Sequence, residues 1–244
     1  MKKIERNSVR MTTAGSLLAF LLYCTALVTI VALLYGYNSQ ALVVSAVAFC
    51  ILLVVDAFLW RFQQRVSRAG YPGVSRQAIQ IGMAIGLLWV IEISINNFIA
   101  PPLPARDTID NLFWAAIAIL IFMHALLCAY RANRFRSGLE AGFWSGSVSG
   151  ALACGMALSM IVFGMHWITQ DPLNITEWAA RGAGVSAPGM AAYFAFETLA
   201  GALLHLVVLG TLMGLLLGGL AGLIGKVLRA ANQQIQKIRK PGES

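Results

Sequence analysis

The stretch NLFWAAIAILIFMHALLCAY, residues 111–130, runs directly into RANRFR, residues 131–136. The first part holds one imidazole and no formal charge, and it is the length an α-helix needs to cross about 30 Å of hydrocarbon. The second part places three arginines against its end, the kind of flank that stays cytoplasmic during insertion. Working outward, five more apolar runs repeat the first half of this pattern. Spans are expected at about residues 14–34, 41–60, 78–100, 111–130, 141–168 and 190–224.

Composition agrees. Of 244 residues, 59% are hydrophobic and 11% charged, against roughly a quarter charged in soluble domains, and the mean hydropathy is +0.74. The expected fold is all-α: a polytopic membrane protein, one bundle of about six transmembrane helices forming a single integral domain over 1–244. Lys2 and Lys3 precede an apolar run too long for a signal-peptide core and lacking a small-residue cleavage site, so it is read as a retained first span.

The basic residues orient the bundle. With the N-terminus inside, Lys2, Lys3, Arg6, Arg10, Arg61, Arg65, Arg68, Arg76, Arg131, Arg134, Arg136, Lys226, Arg229, Lys237, Arg239 and Lys240 all fall on the cytoplasmic face. Only Arg106 and Arg181 fall outside. This one-sidedness predicts six spans with N- and C-termini cytoplasmic, in an inner or plasma membrane. The net charge of +8 then reflects topology and attraction to anionic headgroups. No basic domain with interleaved aromatics remains for nucleic acid, so no nucleic-acid partner is expected.

The connections are expected to be short. RFQQRVSRAGYPGVSRQ reads as a cytoplasmic link broken at Gly70, Pro72 and Gly73. PPLPARDTID reads as a stiff outer turn, with Asp107 and Asp110 at the start of the fourth helix. TQDPLNITEWAARGAGVSAPG reads as the longest outer loop, with Trp178 at the membrane interface and a glycosylation triplet, Asn174 to Thr176, more simply a chance match.

Two spans are glycine-rich. Gly142, Gly146 and Gly150 recur every four residues in the fifth, as do Gly210, Gly214, Gly218 and Gly222 in the sixth. Such stripes let backbones approach where lipid supplies no hydrophobic push between helices. An intrachain hairpin of the two spans is the preferred reading; a homo-oligomer or membrane partner is the rival. Cys24, Cys50, Cys128 and Cys154 sit singly in four spans, without metal spacing or a disulfide framework, and are read as packing residues. No metal and no cofactor is expected.

Polar groups inside the spans carry the functional reading, because an ionisable residue in a bilayer faces a bundle interior, a cavity or the interface. Glu92, Asn96, Asn97, Glu197 and His205 are the candidate substrate or ion site, and Asp56 and His124 a proton path toward the cytoplasm. Asn96 is one turn from Glu92 on the same face. The bland alternative for each is a hydrogen bond that locks helices together, about 0.6 kcal/mol apiece. The expected function is movement of a small solute or ion through this site. The alternative is a non-transporting membrane subunit or assembly factor that uses its glycine faces for contact. A remote third reading, an intramembrane serine protease, rests on Ser149 and His205 as nucleophile and base, without the surrounding pattern such enzymes carry.

Overall fold

A computed structural model of the chain describes residues 19, 20, 22–36, 38–69, 72–181 and 187–239. Nearly all of these residues are helical, with no strand among them. The helices are α1 (Leu22–Tyr35), α2 (Ser39–Ala69), α3 (Pro72–Ser94), α4 (Leu103–Ala132), α5 (Phe135–Phe163), α6 (Met165–Gln170), α7 (Pro172–Arg181), α8 (Met190–Leu204) and α9 (Met213–Arg239). Two wider π-helical segments are continuous with them: π1 (Ile95–Ile99) after α3, and π2 (His205–Leu212) between α8 and α9.

Four runs among the described residues are long and apolar enough to cross a membrane: Arg76–Ile99, Leu103–Ala132, Phe135–Phe163 and Met190–Gln236. Two shorter apolar helices, Leu22–Tyr35 and Ala41–Val55, accompany them. The chain is therefore a multi-pass integral membrane protein, and its exposed leucines, isoleucines and valines contact lipid.

Several connections differ from the sequence reading. The RFQQRVSRAG stretch continues α2 as far as Ala69, and α3 begins at Pro72, the first helical position that proline tolerates best. The PPLP turn is shorter than expected. Pro102 is extended (φ −62°, ψ 154°) and Leu103 already starts α4, so Asp107 and Asp110 lie beyond its first turn. The segment read as the longest outer loop contains α7. Asp171 caps it, its Oδ1 accepting the Leu173 N–H at 3.0 Å, and Pro172 opens it.

The chain forms two compact units. One comprises Met1–Gly70, Ile93–Pro101 and Ala153–Leu204; the other comprises Tyr71–Glu92, Pro102–Leu152 and His205–Ser244.

In the second unit, α4 turns into α5 through Asn133, whose left-handed backbone (φ 52°) lets its N–H bond to the Ala129 carbonyl. The following portion of α5 meets π2 and α9 backbone to backbone. A Cβ at Gly142 would stand 2.6 Å from Gly218 Cα and against the Gly214 carbonyl; one at Gly146, 2.8 Å from Gly214 Cα; one at Gly150, 2.8 Å from Gly210 Cα. Gly138 against Gly222 extends the seam by one turn. Gly82 and Gly86 of α3 are equally tight against α5, at Ser145 and Val148 and at Leu152. On α4, Tyr130 takes the Asn232 amide on its hydroxyl at 2.8 Å and the Arg229 guanidinium over its ring at 5.4 Å.

In the first unit, α1 lies on the last turns of α5. Tyr23 Oη and Ser159 Oγ are hydrogen-bonded at 2.8 Å, and Phe20 fills the space beside Gly155. Cys24 and Cys154 are both fully buried. α7 is tied to α8 by Tyr193, whose hydroxyl donates to Glu177 Oε1 at 2.9 Å, and Arg181 meets the same carboxylate at 3.3 Å.

Candidate functional site

Glu92 is 6% exposed, although it stands seven residues from the end of an apolar run with no other acid in it. At 1.5 Å per residue that is about 10 Å from Ile99, out of easy reach of water. The local sequence explains its placement. Trp89, one turn earlier on the same face, is 1% exposed, and the large indole carries this face of α3 into the second unit.

His205 meets that face. Its ring stands edge-on to Trp89 with centroids 4.8 Å apart, and Trp114 of α4 closes on the same indole at 6.0 Å. His205 is also the first residue of π2, and its carbonyl is 2.6 Å from where a Cβ on Gly150 would sit. A π-turn is wider than an α-turn, so glycine opposite it is what permits the approach. The hydroxyl of Thr211 follows the same wide winding, donating to the Leu206 carbonyl five residues back at 3.0 Å and meeting Ser147 Oγ at 3.1 Å. Among the candidates, then, the structure brings His205 to Trp89, one helical turn from Glu92, within one unit.

Asn96, Asn97 and Glu197 belong to the other unit. Asn96 and Asn97 are half-buried in π1, and Asn97 Nδ2 donates to the Ile93 carbonyl at 2.8 Å, a bond within its own helix. π1 ends at Ala100, whose φ of 48° turns the chain while its N–H bonds five residues back to Ile95 at 3.1 Å. Glu197 is on an exposed face of α8, one turn beyond Tyr193. Arg181, outside the spans, is held more firmly protonated by its hydrogen bond to Tyr193 and by the carboxylates of Glu177 and Glu197.

The proton-path candidates are separate. Asp56 is on α2, its side chain outside the described residues. His124 is on α4, half-buried, with Nε2 3.8 Å from Cys128 Sγ. Among the described residues no group of three or more His, Cys, Asp or Glu is placed to hold a metal ion.

The other sequence features resolve in local bonds. Ser149, fully buried, donates its hydroxyl to the Gly146 carbonyl at 2.9 Å. In the glycosylation triplet, Asn174 Nδ2 donates to the Ile168 carbonyl at 2.8 Å from within α7. Missed by the sequence reading were Trp89 and Trp114, the Gly82 and Gly86 pair, and the Glu177, Arg181 and Tyr193 network. The glycine pair had a visible signal, its four-residue spacing. So did Glu177 and Arg181, four residues apart on α7; the Trp89–Trp114 contact and the tie from Tyr193 to Glu177 join separate helices.

No family model matches the chain, and comparison with curated proteins and with solved structures finds no significant match.

Proposed function

We propose that this chain is a six-span protein of an inner or plasma membrane, with both termini cytoplasmic, that moves a small solute or ion through a polar intramembrane site. Glu92 is the central ligand, and Asn96, Asn97, Glu197 and His205 are further contacts along the route. Asp56 and His124 continue it toward the cytoplasm. In this reading the facing glycines of α5 and of π2 with α9 act as a zipper that fixes the scaffold around His205.

One observation carries the reading: a carboxylate 6% exposed, deep in a helix whose composition demands lipid or protein around it. Holding such a group in a bilayer is costly, and intramembrane carboxylates mark ion and proton routes. The π-segments support it, since widened turns recur at functional positions, and here one begins at Ile95, three residues after Glu92, while the other begins at His205.

The test is flux in vesicles holding the purified protein, followed with a pH-sensitive dye, with and without added monovalent cations. Glu92→Gln keeps shape and hydrogen bonding but removes the titratable charge. It should insert and melt like the parent while losing flux; unchanged flux in both Glu92→Gln and Glu197→Gln would overturn the proposed site.

A second reading, a non-transporting subunit or assembly factor, has its own support on α8. Glu197 is exposed there, and a Cβ at Gly201, one turn on, would meet no atom within 4 Å. That face offers a carboxylate and room for close approach to a partner helix. A co-purifying membrane protein lost in Glu197→Leu, with no flux in the parent, would favour it.

A further inference from the structure

A second polar feature lies away from Glu92, at the Arg131 end of α4. Gln77 of α3 and His124, Leu127, Cys128, Arg131 and Ala132 of α4 line a shallow groove of about 280 Å³, all within one unit. The lining has no carboxylate. Its ionisable groups are a guanidinium, an imidazole and a thiol, so the groove favours an anion over a cation.

The groups are graded along the helix. Arg131 is in the last turn of α4 and exposed. His124 is two turns deeper on the same face, about 10 Å along the axis. Leu127 lies between them, 44% exposed, and Leu120 and Met123, at 44% and 54%, continue an open apolar track toward the middle of the span. A water-soluble anion has no use for that track. A molecule with a phosphate at one end, ester carbonyls about one to two turns deeper and a hydrocarbon chain beyond them matches all three levels.

We propose that this groove binds an anionic glycerophospholipid from the leaflet beside Arg131, the cytoplasmic one in the orientation given above. The Arg131 guanidinium holds the phosphate, as planar forked donors do well, with the Gln77 amide beside it. His124 donates a ring N–H to an ester carbonyl. Its Nε2 is the nitrogen near Cys128 Sγ; a thiol proton donated there leaves Nδ1–H as the lipid's donor. One acyl chain follows Leu127, Met123 and Leu120. Basic pockets between spans at this level are known to suit anionic headgroups. The inference is independent of flux through Glu92.

The experiment is native mass spectrometry of the full-length protein in detergent, equilibrated with phosphatidylglycerol or with phosphatidylcholine of identical chains, and in separate arms with inorganic phosphate and with glycerol phosphate. Phosphatidylglycerol should be retained over phosphatidylcholine, with neither soluble anion competing at equal concentration. Arg131→Gln should weaken that retention about tenfold, and Arg131→Lys, which keeps the charge, should retain an intermediate affinity, separating loss of the site from loss of the fold. His124→Phe should weaken binding of the diacyl lipid. Lys226→Gln, an exposed basic position on α9 outside the groove, should bind as the parent does. Equal retention by the parent and Arg131→Gln, equal retention of the two lipids, an equal loss in Lys226→Gln from diffuse charge, or displacement by inorganic phosphate alone would each overturn the proposal.

Discussion

Gly146→Ala adds one methyl group where α5 has no room for it. The new carbon would stand 2.8 Å from Gly214 Cα, 3.3 Å from the Gly210 carbonyl carbon and in overlap with the Gly210 carbonyl oxygen. All three are backbone atoms, which cannot rotate aside as a side chain can. Relief requires the helices to part by about 1 Å, and a gap of 0.5–1 Å already forfeits a quarter to a half of the dispersion attraction along the seam. Overpacking of this kind costs about 1–3 kcal/mol. For a chain of this size that is a fall in melting temperature of about 2–4 °C per kcal/mol. Gly201→Ala is the matched control: nothing lies within 4 Å of the new carbon, so only helix propensity changes, in alanine's favour by up to about 1 kcal/mol. Thermal unfolding of both variants in one detergent, followed by tryptophan fluorescence, decides the matter. If Gly146→Ala melts at or above Gly201→Ala, the backbone contact described for this seam does not hold.

Removing the hydroxyl pair between Ser147 and Thr211, 3.1 Å apart, should cost about 0.6 kcal/mol of coupling in a double-mutant cycle with Ser147→Ala and Thr211→Val; additive losses would mean the pair contributes nothing. Tyr193→Phe deletes the bond that ties α8 to Glu177, about 1 kcal/mol, so trypsin should cut after Arg181 faster than in the parent, and an unchanged rate would count against that tie. Reporter fusions at Ser67, Arg136 and Ser244 should report cytoplasm and those at Asp107 and Asn174 the outside; an external signal from the Ser244 fusion would require another crossing.

The residues that made the fold readable are those whose effect is local. Residues 111–130 reveal a spanning helix because length and apolarity suffice to specify one. The true start of that helix at Leu103 is harder to read, since PPLP resembles a stop, yet Pro104 falls in a first turn where its missing N–H goes unused. α7 was legible in principle: Asp171 and Pro172 are a cap and a first helical residue, but the polar, glycine-rich surroundings hid them. π1 and π2 have no such signal, because one surplus residue in a turn is set by what packs against it. The same limit governs the candidate site. A carboxylate at Glu92 stands out in an apolar run, whereas its neighbourhood depends on Trp89 meeting His205, a contact between distant positions that no spacing encodes.

The burial of α5 has a consequence for assembly. It is the least apolar of the four long runs and the most enclosed, with 72% of its apolar window buried against 28–33% for the others. During synthesis it must enter the bilayer before π2 and α9 exist, presenting serines to lipid in the meantime. Ser145, Ser149 and Ser159 are prepared for this wait, because their hydroxyls bond to the carbonyls of Ala141, Gly146 and Gly155 in the same helix. Ser147 instead bonds to Thr211, 64 residues later. At about 5–20 residues per second, that hydroxyl waits several seconds for its mate, which makes the pairing of Ser147 with Thr211 a late event in the birth of the bundle.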